Sequence, residues 1–416
     1  MSRKATAKAV VKEGESAPLG ERPGFGEIIH PVSVEEFFAA YHDRRPLHVR
    51  GGAEKFARLM SWEILTGLLN MTAVWSASTL QLVLDRNVIP PAQYCRTARG
   101  RDGRDVLQPD AGRVMALLRS GASLVANDID TLTPALAGFA AALEDALDAK
   151  VQANLYCSWK ERQGFDSHFD THEVFAVHVS GEKVWRLYET RIDNPIAHPR
   201  FKSFGQEWHD RSKGTVAEEV VMRPGDLLYI PRGQYHDALA TSDGTVHVAF
   251  GATHVIGMDV LDLLANLAVE DAAFRRNMPR RTAGPEAVAS WLADLGDRLA
   301  RRARDPASVE AMRRHQAQFR YPRGGMALPV EPAGRRFRLA APDLSVRQEK
   351  GRWILGGRKA AAPIPEGMEE PVRWIVGRSA FGEAELAEAF PALTRRARDE
   401  LLSALLRMKV IAPSPD

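Results

Sequence analysis

The stretch HFDTHEVFAVHVSGEKVWRLYE, residues 168–189, sets His168, Asp170, His172, His178 and Lys183 into text that otherwise reads as strand. A buried strand of ordinary composition would carry valine and isoleucine there. Two readings compete: a polar sheet surface, or one half of a metal site completed further along the chain. Alternate side chains of a strand point to one face, so His168 and Asp170 can hold neighbouring positions on a metal. A third ligand must come from another strand. The candidate is His236, in PGDLLYIPRGQYH (224–236), just after a Pro/Gly turn that re-aims the chain. Two histidines and one carboxylate with three positions open form the facial set that suits non-haem Fe(II). The vacant positions would take a chelating co-substrate and dioxygen.

A bare H-x-D pair is weak evidence in a chain with 12 histidines. His172, His178, His209 and His247 are rival histidines, each of which a purely structural role would also explain. Three features favour the metal: the downstream Gly-Asp…Pro-x-Gly…His arrangement, the tight turns that bracket the strands, and Lys183. This lysine follows Asp170 on the expected next strand. A keto-acid chelate carries a far carboxylate that is costly to bury alone, and a lysine offsets that cost. The competing reading of Lys183 is an ordinary surface lysine in the turn GEK.

Around this stretch, residues 150–255 are short alternating segments separated by Gly and Pro. VQANLYCSW, VFAVHVSG, KVWRLYE, EEVVMRPG, DLLYIPRG and TVHVAFGAT all suit strands, and favour a barrel or sandwich over a parallel α/β sheet. Upstream, SVEEFFAAY carries a capping-box signature, Ser33 with Glu36, ahead of an aromatic-faced helix. RPLHVRG reads as a short strand, helices are expected near 61–70 and 110–120, and TPALAGFAAALEDALD is an amphipathic helix. After Gly257 the pattern becomes helical, with apolar residues at three and four spacing. A proline-rich linker at 322–333 leads to a last unit whose end, GEAELAEAFPALTRRARDELLSALLRMKVI, reads as two helices and a strand.

The 416 residues exceed one ordinary domain, and 45% hydrophobic with 26% charged residues is a globular composition. No apolar run approaches the roughly 20 residues of a membrane span, so no membrane partner is expected. The N-terminal text MSRKATAKAVVKEGESAPLGERPGFG lacks an apolar signal core and reads as a flexible tail. Cys95 and Cys157 alone build neither a disulfide framework nor a thiolate cluster, which points to a reducing cytoplasm. A net charge of +3 argues for no nucleic-acid substrate, although residues 301–350 hold 12 Lys/Arg against 5 Asp/Glu.

The segments ANLYCSWKERQGFDSHFDTHEVFAVHVSGEKVWRLYE (153–189) and RPGDLLYIPRGQYHDALATSDGTVHVAFG (223–251) resemble the JmjC-type 2-oxoglutarate oxygenases, and most closely their ribosomal oxygenase (protein hydroxylase) branch. The resemblance implies a mainly β, double-stranded β-helix core of the cupin/JmjC jelly-roll kind with flanking helices. A helical dimerisation region and a winged-helix-like C-terminal domain would follow. The corresponding division is a tail at 1–28, a catalytic domain at 29–256, a dimerisation region at 257–335 and the last domain at 336–416.

Residue by residue, the resemblance makes His168, Asp170 and His236 the Fe(II) ligands and Lys183 the partner of the 2-oxoglutarate C5 carboxylate. It places Asn154 and His247 near the co-substrate and Tyr156 against the substrate. For His247 a structural role is an equal alternative, and Trp185 and Arg186 suit packing and a surface pair. The expected activity is dioxygen-dependent hydroxylation of a protein or peptide residue, in a homodimer. Alternatives are hydroxylation of a peptide natural product or free amino acid, N-methyl demethylation, a non-catalytic binding protein, or a cupin-type isomerase, which would have no use for Lys183. Two departures from the family pattern bear on the substrate: Thr171-His172 where an aspartate often follows H-x-D, and Ala249 with Gly251 where Ser or Thr is frequent.

Overall fold

Period-two burial builds the core of the molecule. Seven strands carry it: β1 (Ala149–Ser158), β2 (Glu173–Ser180), β3 (Lys183–Ile192), β4 (Val216–Met222), β5 (Leu227–Ile230), β6 (Gln234–Ala240) and β7 (Thr245–His254). In β1 the residues Val151, Ala153, Leu155 and Cys157 are buried, while Gln152, Asn154 and Tyr156 between them are only partly so. The computed structural model describes residues 2–4, 10–14, 18–99, 103, 105–159, 165–324, 335–341, 344–349, 351–357 and 361–414. They fall into two units, 1–324 and 325–416.

In the first unit a nine-stranded sheet runs in the order 10–13, 47–50, β5, β2, β7, β1, 123–126, 80–84, 87–88. Every pairing in it is antiparallel except that of 10–13 with 47–50. A smaller sheet is centred on β3, which pairs with β4, β6 and Ser2–Lys4. The two enclose an apolar layer of Val174, Ala176, Trp185, Leu187, Val220, Met222, Leu228 and Ile230. This is the cupin-type double sheet. The outer face of the large sheet is covered by helix α1 (Pro134–Leu147), which starts on the Thr133 cap and Pro134. Its Phe139 stacks on Phe250 of β7 at 4.4 Å.

Three features differ from the sequence expectations. His168 and Asp170 do not share a regular strand: His168 makes an isolated bridge with His236, and Asp170 lies beyond it. The segment QYHDALA, which the strand pattern had not singled out, is the full strand β6. Its pattern was obscured because Gln234, His236 and Asp237 are polar yet buried. Part of the stretch expected as a flexible tail is ordered by pairing, at 2–4 and 10–13, and Leu19 and Phe25 are buried. The linker at 322–333 lies largely outside the described residues.

Helices α2 (Gly257–Ala268), α3 (Gly284–Arg304) and α4 (Pro306–Gln318) complete the first unit. Arg323 closes it by pairing with Glu144 and, at 3.0 Å, with Asp130. The second unit has two three-stranded sheets, 336–339/380–382/411–413 and 345–349/352–356/361–363. Helices Glu369–Val376, Glu383–Ala389 and Arg395–Arg407 pack around Phe337, Ile375, Phe381 and Leu402. Among the described residues no helix is long and apolar enough to cross a membrane.

Candidate metal centre

Backbone pairing brings the first histidine to the third. His168 N–H donates to His236 O at 3.1 Å, and His236 N–H to His168 O at 2.9 Å. Gly233 N–H donates to Asp170 O at 2.9 Å, which fixes the residue between them in the site. Gly233 has φ +84, and a Cβ there would lie 2.2 Å from Ile192 O, so only glycine fits this turn.

Each ring is then oriented from behind. His168 Nδ1 lies 2.8 Å from Asp166 O, and His236 Nδ1 lies 3.0 Å from Gln234 O. Carbonyl acceptors place the proton on Nδ1 and leave Nε2 with a free lone pair, the state a metal requires. His236 Nε2 stands 3.5 Å from Asp170 Oδ2, and His168 Nε2 stands 4.0 Å from Asp170 Oδ1. Burial, reinforced by His168, pushes His236 down to about 4, so it is neutral and able to ligate. Burial opposes ionisation of Asp170, but His172, His168 and His236 outweigh it and hold the carboxyl below its usual range. Two imidazole nitrogens and one carboxylate on a common point fit a divalent metal of the iron class.

The ligands line a cavity of about 120 Å³ together with Asn154, Tyr156, Lys183, Trp185, His247 and Asp237. Lys183, at the first position of β3, is 6% exposed and has no hydrogen-bonding or ion-pair partner among the described residues. Burial pushes its ammonium down to about 8. The surface-lysine alternative therefore fails. A buried, unpaired cation facing a cavity is costly, and an anion that joins it offsets the cost.

Tyr156 and His247 are register partners on β1 and β7, and their rings stack at 4.8 Å with planes 8° apart. Burial, and then the Asp170 charge, push the Tyr156 phenol up to about 12, while burial and Lys183 push His247 well below its ordinary value. Asn154 accepts from Asp128 N–H at 3.1 Å, which holds its side chain at the cavity edge. Trp185 packs edge-on against His247 at 5.4 Å, and Arg186 pairs with Glu219 at 3.0 Å.

The rival histidines separate. His178 is fully buried with Nε2 at 3.0 Å from Gly181 O, and His209 hydrogen-bonds Tyr235. His172, by contrast, lines the cavity. A Cβ on Gly251 would lie 3.0 Å from His172 Cε1, so the two departures from the family pattern occupy one space. Sequence reading gave no signal for Gln152 or for Asp237, whose Oδ2 accepts from Tyr188 Oη at 2.5 Å. On the outer side of the ligands lies a second, wider cleft of about 730 Å³, bordered by His168, Asp170, His172, Lys202, Arg232 and His254.

The sequence profile of the JmjC domain matches residues 132–259. The bifunctional lysine-specific demethylase and histidyl-hydroxylase NO66 of Aedes aegypti is 30% identical over 268 residues, 62% of this chain and 40% of that protein. Ribosomal oxygenase 2 of Rattus norvegicus is 28% identical over 271 residues, 62% of this chain and 54% of its own. The chain thus spans about half the length of the curated relatives it matches. Among solved structures, Escherichia coli ycfD superposes with a TM-score of 0.50 at 15% identity, covering 92% of this chain and 98% of that one, a likeness of fold.

Proposed function

We propose that this chain, which carries a JmjC domain similar to that of ribosomal oxygenases, is an Fe(II)- and 2-oxoglutarate-dependent oxygenase. Its substrate would be a residue of a protein or peptide, with a ribosomal protein the class its relatives favour. The observation that carries the reading is Lys183: a buried cation without a partner, in the same cavity as a His–Asp–His ligand set.

His168, Asp170 and His236 would hold the iron. The bound Fe(II) supplies dioxygen activation coupled to oxidative decarboxylation of 2-oxoglutarate, yielding succinate, carbon dioxide and one oxygen atom for a substrate C–H bond. The protein's own residues position and protect. Lys183 receives the far carboxylate of the co-substrate, converting an unpaired charge into a pair. Asn154 and His247 border the co-substrate, and the His247 ring is held by Tyr156 on one face and Trp185 at its edge. The phenol of Tyr156 stays protonated and can donate to the substrate. The narrow cavity suits a small dicarboxylate, whereas the wider outer cleft suits a segment of polypeptide.

We read 29–256 as the catalytic domain, 257–335 as a dimerisation region and 336–416 as a winged-helix-like domain. The homodimer is supported by the exposure of Leu261, Leu292 and Val309 on α2, α3 and α4, and by the absence of fully buried residues in α3. A cytoplasmic setting is supported by Cys95 and Cys157, which are buried and unpaired. The test is to incubate the iron-loaded protein with 2-oxoglutarate and a set of ribosomal proteins, then to weigh their peptides. Gain of one oxygen on a single residue, absent with His236→Ala, supports the reading. Loss of a methyl group instead would assign demethylation.

A further inference from the structure

A second set of metal-ligating side chains lies apart from the His168–Asp170–His236 centre. His42 follows the wide helical turn Phe37–Tyr41, Glu173 opens β2 and His254 ends β7. Glu173 is paired in register with Ala252, so His254, two residues on, presents the same strand face beside it. Both histidines aim Nε2 at one carboxylate oxygen: His42 lies 3.5 Å and His254 3.6 Å from Glu173 Oε2. The two rings meet edge-on at 5.3 Å.

These separations are too long for hydrogen bonds, which close at about 2.7–3.2 Å. Donors bound at about 2.0–2.2 Å to a tetrahedral zinc stand roughly 3.3–3.6 Å apart, and both observed separations fall there. Eleven buried side-chain nitrogen or oxygen atoms lack a hydrogen-bond partner among the described residues. Three of the eleven are His42 Nε2, Glu173 Oε2 and His254 Nε2, converging on one point. The carboxylate is 3% exposed and the histidine side chains about a quarter exposed, while the three facing atoms are themselves buried. The Tyr229 phenol accepts from Asp43 N–H at 2.8 Å, which fixes the backbone beside His42.

We propose that His42, Glu173 and His254 bind a second divalent metal of the zinc class, distinct from the iron centre. The donor set, two imidazoles and one carboxylate, is that of a three-ligand zinc site with its fourth position left to water. His254 borders the outer cleft, so the metal would sit beside whatever occupies it. The metal would tie the ends of β2 and β7 to the helical turn before Asp43, stiffening the rim of the cleft.

The test is metal stoichiometry of the full chain, stripped with chelator, loaded with Zn2+ alone, freed of unbound metal and counted by mass spectrometry. The expected result is two equivalents for the wild type and one for His168→Ala/His236→Ala. One is also expected for His42→Ala/His254→Ala, and none for the fourfold variant. One equivalent in the wild type, unchanged in His42→Ala/His254→Ala, would overturn the proposal and leave the iron centre standing. One equivalent in the wild type that survives in His168→Ala/His236→Ala and is lost from His42→Ala/His254→Ala would instead support the second site and remove the iron assignment. Should His42→Ala/His254→Ala fail to fold, Co2+ added to His168→Ala/His236→Ala decides. An intense visible spectrum, the mark of four-coordinate cobalt, supports the site, and a colourless protein refutes it.

Discussion

His168 and His236 are 68 residues apart in sequence, yet each donates its backbone N–H to the other's carbonyl, at 3.1 and 2.9 Å. The two rings follow from that pair, with centroids 4.7 Å apart, and Asp170 closes the triangle. The main chain therefore brings the ligands together, and the Nδ1 contacts with Asp166 O and Gln234 O then set the rings.

Removing one ring should leave the rest in place. His168→Ala is expected to lower Fe(II) affinity at least about a hundredfold, since even orienting partners of ligands are worth 10–100-fold. Far-ultraviolet circular dichroism should not change. Isothermal titration of Fe(II) under argon checks both the loss and the intact fold.

Lys183 predicts opposite effects on binding and stability. Lys183→Met removes the partner of the co-substrate carboxylate, a truncation worth about 2–5 kcal/mol, or roughly 30-fold to several thousand-fold in affinity. The same change removes an unpaired buried charge and raises the melting temperature of the ligand-free protein. A lysine on the surface would move neither quantity.

The pH dependence follows from the same group. Burial lowers Lys183 from its ordinary 10.5 to about 8. Below pH 8 the ammonium is charged and ready for the carboxylate. Above it, binding must recruit a proton, so the apparent Kd for 2-oxoglutarate rises with pH, approaching tenfold per pH unit. Between about 8 and 10.5 the unfolded chain binds more protons than the folded one, so this group's contribution to ligand-free stability increases with pH. Titrations of 2-oxoglutarate at pH 7, 8, 9 and 10 check the first trend and thermal melts the second.

His172 and Gly251 should be coupled. Gly251→Ser sets a Cβ 3.0 Å from the His172 ring and is expected to cost about 1–3 kcal/mol, as overpacking does. In the His172→Ala background the cost should vanish. A double-mutant cycle in urea measures it.

Much of the site was legible because chemistry left traces that burial would not. His168, Asp170, His236 and Lys183 stand in strand text where apolar residues belong, and the turns Pro224-Gly225 and Pro231-Arg232-Gly233 flag the change of direction. What was hidden had no periodic trace. β6 is polar and buried at once because its partners are distant: Tyr188 caps Asp237, and Gln234 donates to Tyr188 O at 2.6 Å. His172 resembled any strand histidine until Gly251 was seen to make room for it. His42 and His254 lie 131 and 81 residues from Glu173, each a lone histidine on its own segment, and only the fold gathers them.

Turnover of the co-substrate tests the central claim most directly. Protein loaded with Fe(II) and 2-oxoglutarate under argon and then exposed to oxygen should form succinate, and His168→Ala treated alongside should form none above the metal-free background. Equal succinate from both proteins, or none from the wild type with iron demonstrably bound, would contradict the account.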